Sequence, residues 1–368
     1  MKMNQGRMLA IALIAAVSVG TYIANLAESP NADTPNYDSI DLEERQAAAE
    51  RAKDPKWKAS TTQVGTIQVG EGPKSPPLKN FCLNHEGNIL ACIGSAVRVY
   101  SPAGKLLQTW DLDLSPSAIT MAPDHTIFVA GEGQVAKLDA AGRVVARGKS
   151  PVANEPVVIT KELQDMIKEM AAQNRCPEAE EAARFKESLE KRRRDVTGLA
   201  ATGQDVFMAV GAPSDFSYRV YRFDHALENS KLVVEKLRGC CSQMDIQARD
   251  EKLYISHNAR HSVEARDRDG KELSKFGTKG KVKATDFGGC CEPKNVRVLG
   301  NGDILAAESG PPTCIKRFSA DGAFKEVVAV LDSKGDCVRV TVEVSPDGSR
   351  YYLLDTTRNA IRIFQAID

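Results

Sequence analysis

From residue 61 onward the chain is a succession of short apolar–polar alternations, each cut off by a polar turn. Residues 61–69, TTQVGTIQV, set the pattern of a half-buried strand. The clearest marker is the apolar residue that follows each turn. Leu90 follows His85-Glu86-Gly87-Asn88, and Phe128 follows Pro123-Asp124-His125. Phe207 follows Thr202-Gly203-Gln204, and Tyr254 follows Arg249-Asp250-Glu251. Leu305 follows Asn301-Gly302-Asp303, and Tyr352 follows Pro346-Asp347-Gly348. These markers recur roughly every 40–50 residues, with one longer gap. Most are followed by a further strand with its own turn, such as Ile315-Lys316-Arg317-Phe318 before Asp321-Gly322. Four short strands per unit at this period predict the blades of an all-β propeller, six in number. The last unit has no room for a fourth strand. The spare strand at 61–69 is therefore predicted to complete it, closing the ring and removing an exposed sheet edge.

The long gap holds residues 152–195, which break the strand pattern. Residues 160–174 and 177–194 both read as helices, with Pro177 suited to a first helical position and Glu178, Glu180 and Glu181 in the early turns. The expected result is a helical hairpin projecting between blades two and three. The basic run Arg192-Arg193-Arg194 then sits at a helix end, where the dipole favours it.

Upstream of the ring, residues 39–53 are strongly helix-forming, with early acids and late bases. The apolar side is mostly alanine, so weak docking is expected. Residues 28–38 are polar and rich in Pro, Asn and Asp, and together residues 28–60 form a linker with a short helix. At the start, Lys2 and Arg7 precede an apolar run, which has the form of an export signal. Ala24 and Ala27 are candidate cleavage positions, but Tyr22 and Asn25 spoil the small-x-small pattern. Residues 8–27 also suffice to span a bilayer, which takes roughly 20. A cleaved signal and a retained membrane anchor both stay open for residues 1–27. Either places the rest of the chain outside the cytoplasm, at the cell surface or in the periplasm.

Composition adds limits. In 368 residues the basic and acidic side chains balance at 49 each, so global charge favours neither nucleic acid nor an anionic membrane surface. There is no phosphate-binding glycine loop, no G-x-S-x-G elbow, no H-E-x-x-H and no C-x-x-C-H haem site. Nine cysteines suit an exported chain, where disulfides persist.

Five of the nine fall at nearly one offset before their markers: Cys240 and Cys241, Cys290 and Cys291, and Cys337. Repeat register puts all five at the start of an innermost strand, near one mouth of the ring. Three uses stay open for them: structural cross-blade disulfides, a metal cluster of thiolates, or an exchangeable redox pair. Adjacent cysteines bridge each other only with strain, because α-carbons across a trans peptide are about 3.8 Å apart and ordinary bridges want roughly 4.4–6.8 Å. Cys82 and Cys92 fall on the first two strands of blade one. Cys314 falls on the third strand of blade five. Cys176, in the hairpin turn, reads as a free thiol. His85, His125 and His225 read as surface histidines.

The blade cores resemble the NHL-repeat family of six-bladed propellers. The best matches are Glu251 to His257 with His261-Ser262-Val263-Glu264, and Asn301 to Glu308 with Ile315 to Gly322. More narrowly, the chain is similar to exported bacterial NHL-type propellers with Gly-Cys-Cys motifs and a helical insert. That resemblance implies the fold and leaves the activity open. Two related propeller classes, gluconolactonase-like metal hydrolases and peptidyl-amidating lyases, carry metal ligands on channel-lining strands. The equivalent positions here are Ile93, Gly131, Val210, His257, Glu308 and Asp355, of which the last three could bind a cation.

The leading expectation is a binding or scaffold module, with a protein partner on the ring face or the helical insert. The alternatives are a thiol-based redox or metal-binding protein at the cysteine mouth, and a metal-dependent hydrolase or lyase using His257, Glu308 and Asp355. A metal ion is the cofactor the alternatives would use.

Overall fold

Strand pairing groups the chain into six antiparallel sheets of four strands. The computed structural model describes residues 37–70, 72, 74–239, 243–331 and 338–367. Blade one is Leu78–Leu83, Ile89–Ile93, Ala96–Tyr100 and Leu106–Asp111. Blade two is Ala118–Met121, Ile127–Gly131, Gln134–Leu138 and Val144–Lys149. Blade three is Val196–Ala201, Asp205–Gly211, Ser217–Asp224 and Lys231–Arg238. Blade four is Ile246–Arg249, Lys252–His257, Ser262–Arg266 and Glu272–Phe276. Blade five is Asn295–Val298, Ile304–Glu308, Thr313–Phe318 and Phe324–Leu331. Blade six is Val342–Val344, Arg350–Asp355 and Ala360–Ala366, with Thr61–Gln68 as its outer strand. The first strand of each blade packs on the first strands of its neighbours, so six inner strands ring a common axis.

Burial follows from this order. Second strands are covered on both faces, as in Ile89–Ile93 and Ile304–Glu308, where every residue is buried. Outer strands such as Leu106–Asp111 are mostly exposed. The core is divided into six seams, each shared by adjacent blades. Each marker residue fills the seam toward the following blade. Leu90 packs between blades one and two, Phe128 between two and three, and Phe207 between three and four. Tyr254 packs between four and five, Leu305 between five and six, and Tyr352 between six and one. The sequence period is thus a packing period: each sheet can bury its large side chains only against the next one.

The N-terminal strand closes the ring as expected. Thr61 pairs with Ala366 and Gln68 with Ala360, with one bulge between Gln63 and Gly65. Just before this strand, the helix Tyr37–Arg51 (α1) and a turn at Pro55–Trp57 run across the loop that leads into blade five. The helix lies two residues earlier than its composition suggested. Alanine is not its main anchor. Arg51 Nη1 donates to the Lys281 carbonyl at 2.8 Å, and Trp57 Nε1 to the Val282 carbonyl at 2.7 Å.

The insert is a hairpin of Lys161–Asn174 (α2) and Glu178–Arg192 (α3). Thr160 caps α2, and Pro177 stands at the N-cap of α3 rather than at its first helical position. The hairpin does not project freely. Leu163, Ile167, Met170, Phe185 and Leu189 form a small core against Phe216, beyond the second strand of blade three. Arg192 donates to the Phe216 carbonyl and lies 4.7 Å from the centre of the Tyr218 ring. Arg193 hydrogen-bonds the Glu155 carbonyl. Two of the three basic residues therefore dock the hairpin.

None of the described helices is long and apolar enough to cross a membrane. The candidate signal or anchor at residues 1–27 lies outside the described residues.

Candidate functional site

The leading ends of the inner strands lie at one mouth of the ring, and there side chains bond from blade to blade. Arg339, just before blade six, donates to the Ser117 carbonyl of blade two at 2.9 Å and to the Thr197 carbonyl of blade three at 2.5 Å. Gln243 reaches the Val340 carbonyl at 2.8 Å, and Thr341 donates to Asn80 at 2.9 Å. Such lacing satisfies backbone carbonyls that the inner strands leave over.

His257, Glu308 and Asp355 do not converge. Each ends the second strand of its own blade and is engaged there. His257 Nδ1 donates to Glu264 at 2.5 Å, and its Nε2 accepts the Arg238 N–H at 3.0 Å. Glu264 is buried, which opposes its ionisation, but the His257 and Arg266 hydrogen bonds hold its carboxyl down to about 2. Glu308 pairs with Lys316 at 2.5 Å. Asp355 is held by Arg358 and Arg362 at 3.0 and 2.7 Å. No three His, Cys, Asp or Glu side chains among the described residues are grouped as a metal site would need. In each of these three blades the position serves a local ion pair.

The chemistry instead gathers in the loop before blade five. Gly288-Gly289-Cys290-Cys291-Glu292-Pro293-Lys294 folds back on residues 308–312 of the same blade. Gly289 has a φ of +61°, and a side chain there would sit 3.3 Å from Glu292 Cγ. Glycine is what lets the loop turn over that carboxyl group. Cys290 is exposed and Cys291 fully buried, with their sulfurs 3.2 Å apart. Lys294 is 0 % exposed, and its Nζ lies 2.8 Å from Cys291 Sγ. Glu292 is 1 % exposed. Its Oε1 accepts three hydrogen bonds, from Ser309 N at 3.1 Å, Ser309 Oγ at 2.8 Å and Gly310 N at 2.9 Å. Its Oε2 has no hydrogen-bond partner among the described residues. Burial pushes this carboxyl up to about 7; the nearby Lys294 charge opposes the rise and Glu308 adds to it.

Beside this loop is a crevice of 10 Å³, lined by Arg51, Trp57, Gly288, Gly289, Glu308 and Lys316 among others. That is about the room for one water. Glu308 Oε2 accepts the Gly288 N–H at 2.6 Å. Lys316 Nζ also donates to the Asp286 carbonyl and lies 4.8 Å from the centre of the Trp57 ring. The N-terminal segment thus forms one wall of the crevice next to the thiol loop.

Of the five cysteines placed by register at the mouth, Cys290 and Cys291 lie in the loop that precedes Asn295–Val298. Cys240, Cys241 and Cys337 lie outside the described residues. Cys82, Cys92, Cys176 and Cys314 are free thiols, and Cys290 also carries a thiol; Cys291 does not count among them. Cys82 and Cys92 share the seam between blades one and two without bonding to each other. The surface histidines are not isolated: His85 and His125 stack with ring centres 4.0 Å apart, and His225 packs edge-on against Phe128.

Reactivity should follow burial. Desolvation raises Cys92 to about 12 and lifts Cys82 and Cys314 well above the usual thiol range. Brief iodoacetamide treatment of native protein should label Cys290 first. Cys176 should follow more slowly, because partial desolvation and its Glu181 hydrogen bond raise its pKa. Peptide mass spectrometry should find Cys82, Cys92 and Cys314 unlabelled until denaturant is added. Labelling of those three at the Cys290 rate would contradict the packing.

Glu292, Lys294 and Lys316 were not visible as site residues in the sequence. The available signal was their position: charged residues at the start of an inner strand or within a third strand, where apolar burial is otherwise complete.

No known family model matches the chain, the NHL one included, and no curated protein matches it. Solved structures do. The chain is similar to a structural genomics protein of unknown function from Bacteroides thetaiotaomicron VPI-5482, at 11% identity and a TM-score of 0.54, covering 83% of this chain and 76% of that one. It is also similar to a chain in the crystal structure of the Mitotic Checkpoint Complex, at 11% identity and a TM-score of 0.50, covering 93% and 98%. A streptogramin B lyase structure matches at 9% identity and a TM-score of 0.46, covering 84% and 100%. At these identities the likeness concerns the fold alone.

Proposed function

We propose that this chain is an extracytoplasmic propeller, delivered by its N-terminal segment, whose working site is a thiol–disulfide pair at the blade-five mouth. The observation that carries this reading is the fully buried Lys294 ammonium 2.8 Å from Cys291 Sγ, with the Cys290 thiol 3.2 Å from the same sulfur. A buried ammonium needs an anion nearby. A thiolate is such an anion, and a cation beside it makes that sulfur a better leaving group in exchange. A cross-blade disulfide through Cys291 is the form we favour, with Cys240 or Cys241 of the neighbouring blade as partner by repeat register. An incoming thiolate attacks the partner sulfur, the S–S bond breaks, and the electron pair leaves on Cys291 Sγ beside Lys294. A second thiol of the reductant then resolves the mixed disulfide.

The test is a redox titration of the full chain against dithiothreitol, read by alkylation and mass spectrometry. Cys291 should be recovered in a disulfide-linked peptide and should exchange at a potential above the roughly −300 mV typical of structural disulfides. Lys294→Met should slow reduction by about tenfold, for loss of the charge beside the leaving sulfur. An alkylatable Cys291 in native, unreduced protein would sink the reading.

The second reading is a binding or scaffold module. It is favoured by apolar side chains exposed on the outermost strand of each blade, Val64, Leu106, Leu107, Val145, Leu232, Leu273 and Val330. A protein partner would cover part of that rim.

A further inference from the structure

We infer that Glu292 is the proton carrier of the thiol site: reducing the Cys291 disulfide and protonating Glu292 Oε2 form one coupled event. The inference rests on the thiol–disulfide reading above. Three donors saturate Oε1, all from residues 309 and 310. Oε2 is buried and accepts nothing among the described residues, so an added proton belongs there. Lys294 is near enough to act on this carboxyl through its charge. While Cys291 is oxidised and uncharged, the Lys294 charge favours the Glu292 carboxylate. Once Cys291 becomes a thiolate at 2.8 Å from Lys294, the same charge also favours the sulfur anion. A new anion close to the buried carboxylate raises its proton affinity further, and the carboxylate takes up a proton.

The other charged and titratable groups around it fit this assignment. Glu308 is tied to Lys316 and the Gly288 N–H, and it adds to the pressure for Glu292 to be neutral. Cys314 is held as a thiol by burial and by Glu308. His261 faces the same cluster, and burial together with Lys279 lowers it to about 4, so it is neutral near pH 7. Cys290 is at the exposed side. With the carboxyl pushed up to about 7 in the oxidised protein, the exchange falls at neutral pH.

The step balances. The disulfide takes two electrons from an external dithiol, which becomes a cyclic disulfide and releases two protons. One proton goes to the partner cysteine, giving its thiol. The other goes to Glu292 Oε2, and Cys291 remains a thiolate. Where the oxidised protein holds Glu292 as the carboxylate no proton is left over, so the equilibrium constant for reduction by dithiothreitol should rise by no more than about twofold between pH 7 and 8. Glu292→Gln cannot take the second proton, and its constant should rise about tenfold per pH unit over the same range. Glu292→Asp should restore the shallow profile. Should the Gln variant fail to fold, the reduced-minus-oxidised infrared spectrum of the unmodified protein gives the same answer, since reduction should add one protonated-carboxyl band. Equal slopes in the Gln variant and the parent, or no new carboxyl band on reduction, would overturn the role of Glu292 while leaving thiol exchange standing. Absence of any exchange in either protein would instead remove the reading on which it rests.

Discussion

A chain that begins at Gly70 should lose cooperative folding. It lacks Thr61–Gln68, the outer strand of blade six, and with it the hydrogen-bonded partner of Ala360–Ala366. Ile67 and Val69 are buried in the seam between blades six and one, beside Leu78, Phe81 and Tyr352. Deleting a buried aliphatic side chain of this size costs about 2–5 kcal/mol. Losing two, together with a row of ladder hydrogen bonds, approaches the whole stability of an ordinary domain, about 5–15 kcal/mol. The bared strand would also present an open edge, a template for aggregation. The milder variant Ile67→Ala should fold but lose about 3 kcal/mol in urea denaturation. A peptide of residues 58–70 added in trans should restore part of the truncated chain's cooperative transition. A truncated chain that melts within a few degrees of the intact one would show that the closing strand contributes little.

Arg297→Met should be the most damaging single substitution at the inner ring. Arg297 lies on the first strand of blade five and joins three blades, with Nη1 3.0 Å from Asp245 of blade four and Nε 2.9 Å from Glu343 of blade six. Removing one partner of a buried charge group leaves the others uncompensated, at about 3–5 kcal/mol. The loss should depend on pH. Burial raises both carboxyls above their ordinary values even with Arg297 in place. Between the unfolded and folded pKa values the folded protein binds more protons than the unfolded chain, so this part of the stability falls as pH rises through that window. Without Arg297 the folded values rise further, and the window extends upward. The variant should therefore be closest to the parent at mildly acidic pH and furthest from it near pH 8. Urea denaturation at pH 5 and pH 8 measures the difference. A deficit below about 1 kcal/mol, or one equal at both pH values, would show the charge group to be solvent-compensated.

The parts of this structure that were legible in the sequence are those that repeat. Each turn ends at a large residue that must fill the next seam, so Leu90, Phe128, Phe207, Tyr254, Leu305 and Tyr352 mark the blades before any coordinates are known. The missing strand of blade six and the extra one at the N-terminus pointed to the same closure. What stayed hidden was set by contacts between blades that no local pattern encodes. Arg297 reads as the polar position of an alternating strand, yet its charge is satisfied by residues about 50 positions away on either side. Arg339 sits in an irregular segment and bonds to carbonyls far along the chain. Glu292 and Lys294 flank a proline in what looks like a solvated turn. The His85–His125 stack joins two turns that are separate in the repeat. The hairpin docked because Arg192 faces Phe216 and Tyr218, a pairing invisible to helix propensity.

The seam at Thr61 also fixes how the ring would answer a mechanical pull. Chain leaving the first residue of the closing strand sits opposite Ala366, at the very end of the ladder. Tension on the N-terminus would peel that ladder one pair at a time, the direction in which a β pair yields most easily. Before the peel begins, the force must first free Trp57 from the Val282 carbonyl and Arg51 from the Lys281 carbonyl. Those two hydrogen bonds act as a strain relief, and they lie on the wall of the crevice beside the thiol loop. Any load borne by the N-terminal segment would thus be felt at blade five before it reached the closing strand.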